Sequence, residues 1–214
     1  MPEYKYDRKE AMRKICEEVI ALKDLFRKPY SDPLSLPIVR VQTHMKPVIG
    51  EGSHFARVVF IGEAPGKNEA ETGRPFCGAA GRILDELLAS INLPREDVYV
   101  TNIVKDRPPQ NRDPLPEEIA LYAPFLVRQL EIIKPKIIAT LGRFSMDFIF
   151  KLYNLEAMLL PISRMHGRIF EASSSYGPVH IVPLYHPAVA VYNPNVKDEL
   201  KKDFETLVSL ITKK

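Results

Sequence analysis

The sequence predicts an α/β fold, a three-layer αβα sandwich around a central, mostly parallel, four-stranded sheet. Two observations carry that prediction. Short β-rich runs alternate with stretches of helical apolar spacing from Val58 to the end of the chain. The length of 214 residues suits one domain with a buried core, and no internal repeat or low-complexity tract divides it. The expected layout is one domain over residues 1–214, with an N-terminal helix and linker at about 1–50.

The elements follow in order. From Arg8 to Phe26 the apolar side chains Met12, Ile15, Val19, Leu22 and Phe26 recur at helical spacing. Lys28–Pro37 holds three prolines in ten residues and reads as a surface connection. Val58–Ile61 is a strand ending at Gly62, and Ile83, Leu84, Leu87, Leu88 and Ile91 mark one face of a helix. Val98–Val104 is the next strand. Pro116–Ile133 reads as a helix with proline at a favourable first-turn position, Pro135 beyond its end, and a kink expected at Pro124. Lys136–Leu141 is a third strand, followed by a helix through Phe144, Phe148 and Leu152. His180–Tyr185 is a fourth strand, and Lys197–Ile211 closes the chain as an amphipathic helix.

Composition narrows the function classes. Apolar residues make up 45% and charged residues 27%, ordinary values for a soluble globular protein. No apolar run reaches ~20 residues, so no membrane-crossing helix is expected. The charged start, Met1 to Glu10, has no apolar signal core, which points to the cytoplasm. A net charge of +3 neither requires nor excludes a nucleic acid partner. The two cysteines, Cys16 and Cys77, share no metal-type spacing.

In parallel sheets ligands gather beyond the carboxyl ends of the strands, and the unusual residues collect in three loops there. Gly62–Gly81 has five glycines in twenty residues, together with Glu63, Glu69, Arg74 and Phe76. Glycine alone would fit an ordinary tight turn; the charged and aromatic companions favour a site. Asn102 ends a strand, where its amide offers the donor and acceptor needed to read a base edge or, equally, to cap a turn. Arg107–Arg112 is stiff, polar and basic, which suits a phosphate contact. His186 directly follows an apolar strand, a placement that favours a catalytic over a capping histidine.

Five segments, Gly62–Gly66, Gly73–Phe76, Thr101–Lys105, Arg107–Arg112 and His186–Ala188, together resemble the uracil-DNA glycosylase superfamily, and most closely its family 4. The resemblance runs from about Val58 to the C-terminus. It implies a uracil-DNA glycosylase-like fold and monofunctional hydrolysis of the bond between uracil and deoxyribose, the first step of base excision repair, on a base flipped out of DNA. Phe76 looks like the stacking ring, Asn102 the reader of the uracil edge, and His186 the donor to uracil O2. Glu63 would border base and sugar, and Glu69 would wall off a thymine methyl or hold the water. Gly62, Ala64 and Gly66 would line the base, while Arg74, Lys105, Arg107, Arg112, Val189 and Tyr192 would meet DNA, the last two as a wedge.

Ala64 stands where the best-known branch of the superfamily has aspartate, which leaves the water-activating group open. Family 4 usually holds an iron–sulfur cluster on four cysteines. Here Cys16 is followed by Glu17-Glu18-Val19, and by this resemblance the two later positions hold Asp106 and Tyr122, so no cluster and no metal is expected. The partner implied is uracil-containing DNA, with no membrane and a monomeric state. Alternatives are a DNA-binding relative without activity, or a glycosylase with a different or broader base range.

Overall fold

The computed structural model describes residues 7–22 and 45–212. The proline-rich connection at Lys28–Pro37 lies outside the described residues, as does Phe26 of the expected opening helix. The first helix, α1, spans Arg8–Ala21. It starts where the Asp7 side chain accepts from the backbone N–H groups of Lys9 and Glu10 at 2.9 and 3.3 Å. Met12, Ile15 and Val19 form its buried face.

The sheet contains β1 (Glu51–Gly52), β2 (Val58–Gly62), β3 (Tyr99–Asn102), β4 (Ile137–Leu141), β5 (Phe170–Ser174) and β6 (Gly177–Leu184), in the order β1-β3-β2-β4-β6-β5. β3, β2, β4 and β6 run parallel and are the four strands expected. β1 and β5 add antiparallel edges, so the sheet has six strands rather than four. β1 is two residues long, too short to carry a period, and β5 is a half-exposed edge strand that reaches β6 through Gly177 at φ +113°.

The remaining helices are α2 (Lys67–Thr72), α3 (Ala79–Ser90), α4 (Pro116–Ile133), α5 (Arg143–Leu152), α6 (Ile162–Met165), α7 (Ala188–Tyr192) and α8 (Lys197–Ile211). Alternate side chains of each central strand enter opposite cores. Val59, Ile61, Ile138 and Ile181 pack with α1, α4 and α5. Val58, Phe60, Ile137, Ala139, Val182 and Leu184 pack with α3, α7 and α8. This burial on both faces explains why these strands read as unbroken apolar runs. Each fully buried Leu, Ile or Phe contributes ~1.5–3 kcal/mol, which makes the sheet a rigid base for its loops.

α4 runs as one helix from Pro116 to Ile133 with Pro124 inside it. Pro124 is exposed, and the carbonyl it cannot satisfy belongs to Ala120, which is exposed as well. The chain leaves β2 for β3 on one side and β4 for β6 on the other. The crevice at this reversal, above the ends of β2 and β4, is where α/β sheets bind ligands.

Candidate active site

The strand ends bring Phe76, Asn102 and His186 together. β2 and β3 are in register with Gly62 beside Asn102. A side-chain carbon built on Gly62 would lie 2.3 Å from Asn102 Oδ1 and 2.8 Å from Phe76 Cζ. The Phe76 ring lies 5.6 Å from the His186 ring, tilted by 31°. Gly62 is therefore the floor on which amide and aromatic meet, and only glycine leaves that space open.

Phe76 is 7% exposed and sits at φ +48°, a region costly for an aromatic residue. Two contacts hold it there. The Phe76 carbonyl abuts Gly81, where a Cβ would approach to 1.8 Å. Glu69 Oε1 accepts from the backbone N–H groups of Cys77 and Gly78 at 3.1 and 3.0 Å. Gly78 caps α3, so this carboxylate also satisfies one free donor at a helix N-terminus. Gly66, the N-cap of α2, leaves room for the other Glu69 oxygen. Ala64 packs instead against the core beneath α1, α4 and α5.

Asn102 is 2% exposed, and its Oδ1 has no hydrogen-bond partner among the described residues. An orphaned buried acceptor is costly in a folded protein and is tolerated where a ligand completes it. His186 Nδ1 accepts from the Ala188 N–H at 3.1 Å. That bond places the proton of a neutral ring on Nε2, making Nε2 a donor. Burial pushes the His186 pKa down to about 4, opposed by the Glu69 charge, so the ring is neutral at physiological pH.

Glu63 follows β2, and its pKa is pushed up to about 7, first by burial and then by the Asp113 carboxylate, with Arg143 opposing. Arg143 pairs with Asp113 at 3.2 Å on the surface. Gly142, at φ +93°, lets the end of β4 approach His186, where a Cβ would lie 3.3 Å from His186 Cβ. Sequence reasoning missed Gly142, Arg143 and Asp113. The signal for the first two was available: a glycine closing an apolar strand, followed by a cation.

The expected DNA contacts divide. Val189 and Tyr192 stand out on α7, with Tyr192 87% exposed. Arg107 is half-buried and its Nε donates to Asn111 Oδ1 at 2.7 Å. Arg74 is exposed but forms a two-point pair with Glu51, at 3.0 and 2.7 Å. Arg112 grips the buried Glu118 carboxylate at 2.8 and 2.6 Å, fixing the start of α4 rather than projecting outward. Lys105, expected to meet DNA, does not. It is 0% exposed, enclosed by α4 and the end of β3, and cannot reach a phosphate.

The chain has two cysteines, and neither is in a disulfide. Cys16 and the buried Val19 lie on α1, and the Tyr122 hydroxyl donates to Asp106 between α4 and the loop after β3. Cys77 lies apart in the Phe76 turn. Among the described residues no group of three or more His, Cys, Asp or Glu side chains is arranged for a metal ion. Tyr122→Phe leaves a buried Asp106 oxygen without this donor, and the expected loss is ~1–3 kcal/mol of stability, read as a lower Tm.

Fold and site define a class: an αβα protein in which parallel-strand ends and the turn before α3 bring an amide, a neutral imidazole and an aromatic ring to one crevice. Residues 49–208 match the uracil DNA glycosylase superfamily. A type-4 uracil-DNA glycosylase of Archaeoglobus fulgidus is 48% identical over 167 residues, 78% of this chain and 83% of that protein. Those of Sulfurisphaera tokodaii and Thermotoga maritima are 40% and 37% identical, covering 94% and 97% of this chain and 85% and 98% of theirs. The chain belongs to the uracil-DNA glycosylase superfamily. No helix among the described residues is long and apolar enough to cross a membrane.

Proposed function

We propose that this chain is a monofunctional uracil-DNA glycosylase that acts on flipped-out uracil and needs no iron–sulfur cluster. The observation that carries the reading is the convergence at Gly62 of a held aromatic ring, an amide with a free buried acceptor, and a neutral histidine. Uracil stacks on Phe76, and its N3–H donates to Asn102 Oδ1; cytosine has no proton there. As the C1′–N1 bond breaks, its electron pair moves onto the base, and His186 Nε2–H donates to the developing charge on O2. Glu63, as carboxylate, favours the cation-like sugar, and water adds to C1′ with loss of a proton. Glu69 acts by holding the Phe76 turn. Tyr192 and Val189 fill the gap left in the duplex. The same reading takes the protein as a single-domain, cytoplasmic monomer.

A uracil-containing oligonucleotide is expected to yield alkali-labile sites in the presence of a chelator, without strand cutting by the protein itself. Intact DNA after alkali treatment would sink the reading. Visible absorbance of the purified protein tests for a cluster, and a brown solution counts against its absence.

The rate should rise as pH passes about 7, because the raised Glu63 pKa keeps the acid protonated below that point. His186 is already neutral over this range and contributes nothing to the limb. Glu63→Gln should give a slower enzyme whose rate no longer rises there. An unchanged limb in this variant assigns the titration elsewhere.

A further inference from the structure

Lys105 is a fully buried charged group that the reaction scheme leaves without a task. Its Nζ donates to Thr101 Oγ1 at 2.8 Å, to the Asn102 carbonyl at 2.7 Å and to Gln129 Oε1 at 2.7 Å. No carboxylate among the described residues pairs with it, so the cost of burying it is met by neutral oxygens alone.

All three oxygens can only accept. The Thr101 hydroxyl proton is committed to the Ile49 carbonyl at 2.7 Å. Gln129 Nε2 donates to the Ile49 carbonyl at 2.9 Å and to the Tyr99 hydroxyl at 3.0 Å, which orients its Oε1 toward Lys105. The third oxygen is a main-chain carbonyl. Three acceptors need three N–H donors, which an ammonium has and a neutral amine lacks. Burial pushes the other way and lowers the lysine pKa; three short bonds to fixed acceptors hold the proton in place.

The ammonium spans α4, through Gln129, and the last two residues of β3. We propose that Lys105 is a positioning residue for the base-reading amide: anchored on Gln129 and Thr101, it clamps the Asn102 carbonyl so that the Asn102 side chain enters the pocket with Oδ1 free. Asn102 has the orphaned acceptor, and its main chain is the one held by a buried cation. The inference rests on the glycosylase reading and adds a residue to it.

The test uses Lys105→Met and Lys105→Ala in the full chain, assayed on a uracil-containing oligonucleotide in single turnover. Expected are a kcat lowered about tenfold or more by the misplaced amide, weaker inhibition by free uracil, and unchanged affinity for an abasic oligonucleotide. Propylammonium should restore rate to Lys105→Ala, which has space for it, and not to Lys105→Met. Thr101→Val, which keeps the lysine and removes one acceptor, should show the same pattern at smaller amplitude. A cooperatively melting Lys105→Met with wild-type kcat and uracil inhibition overturns the proposal. So does a loss confined to DNA affinity and its salt dependence. Should neither lysine variant fold, wild-type kcat in Thr101→Val overturns it as well. Failure of the glycosylase reading looks different, since the wild-type chain then releases no uracil at all.

Discussion

His186→Ala is expected to slow uracil release by about 10²–10³-fold while the protein still melts cooperatively. The magnitude is that of removing one preorganised donor from a developing anion. The Ala188 N–H occupies Nδ1, so Nε2 is the ring atom able to donate. The pH behaviour follows from the same geometry. A histidine held at about 4 in the folded state ionises near 6.5 when unfolded. Between those values the unfolded chain binds the additional proton, so this residue's stabilising contribution is present above about 6.5 and is lost as pH falls toward 4. His186→Ala should therefore also weaken the loss of Tm on acidification over that window. Single-turnover rates and melting curves of the two proteins from pH 4 to 8 check both statements. Full activity in the variant removes His186 from the mechanism.

Gly62→Ala is expected to reduce the rate by about 10²-fold or more, the penalty for displacing catalytic or binding groups by ~1 Å. The new methyl would sit 2.3 Å from Asn102 Oδ1 and 2.8 and 2.9 Å from the edge of the Phe76 ring. Phe76 cannot yield easily, because Gly81 and the Glu69 carboxylate fix the turn that carries it. Inhibition by free uracil should weaken in parallel, whereas affinity for an abasic oligonucleotide should hold. A Gly62→Ala enzyme with normal turnover would place the base elsewhere.

Much of this architecture was legible in the sequence, and the reason is burial. Val58–Ile61 and Ile137–Leu141 face apolar layers on both sides, so their composition alone marks them as central strands. Pro116 and Lys197 open helices at the residues where the sequence places those starts. What escaped was short or non-local. β1, α2, α6 and α7 span two to six residues, less than the window in which a period can be recognised.

The convergence of the candidate site was legible where a residue's chemistry is unusual for its place, as with Asn102 and His186 at strand ends. It was misread where a charge finds its partner through the fold. Lys105 sits beside Asp106 and Arg107 and reads as part of a basic, exposed loop. Its burial depends on Gln129, which α4 brings back across 24 positions. Arg112 is similar, its outward role cancelled by Glu118 one turn inside α4. Local pattern carries no sign of either pairing.

α7 is tethered differently from the strand ends. Ala190 alone seats it in the core, while Val189, Val191 and Tyr192 face outward. On the proposed reading, choosing a base and prising apart a helix are thus entrusted to separate pieces of the molecule, one braced by the sheet and one riding on a single small anchor. On that reading, exchanging the side chains of that perch is expected to retune which form of nucleic acid is attacked and to leave the choice of lesion as it was.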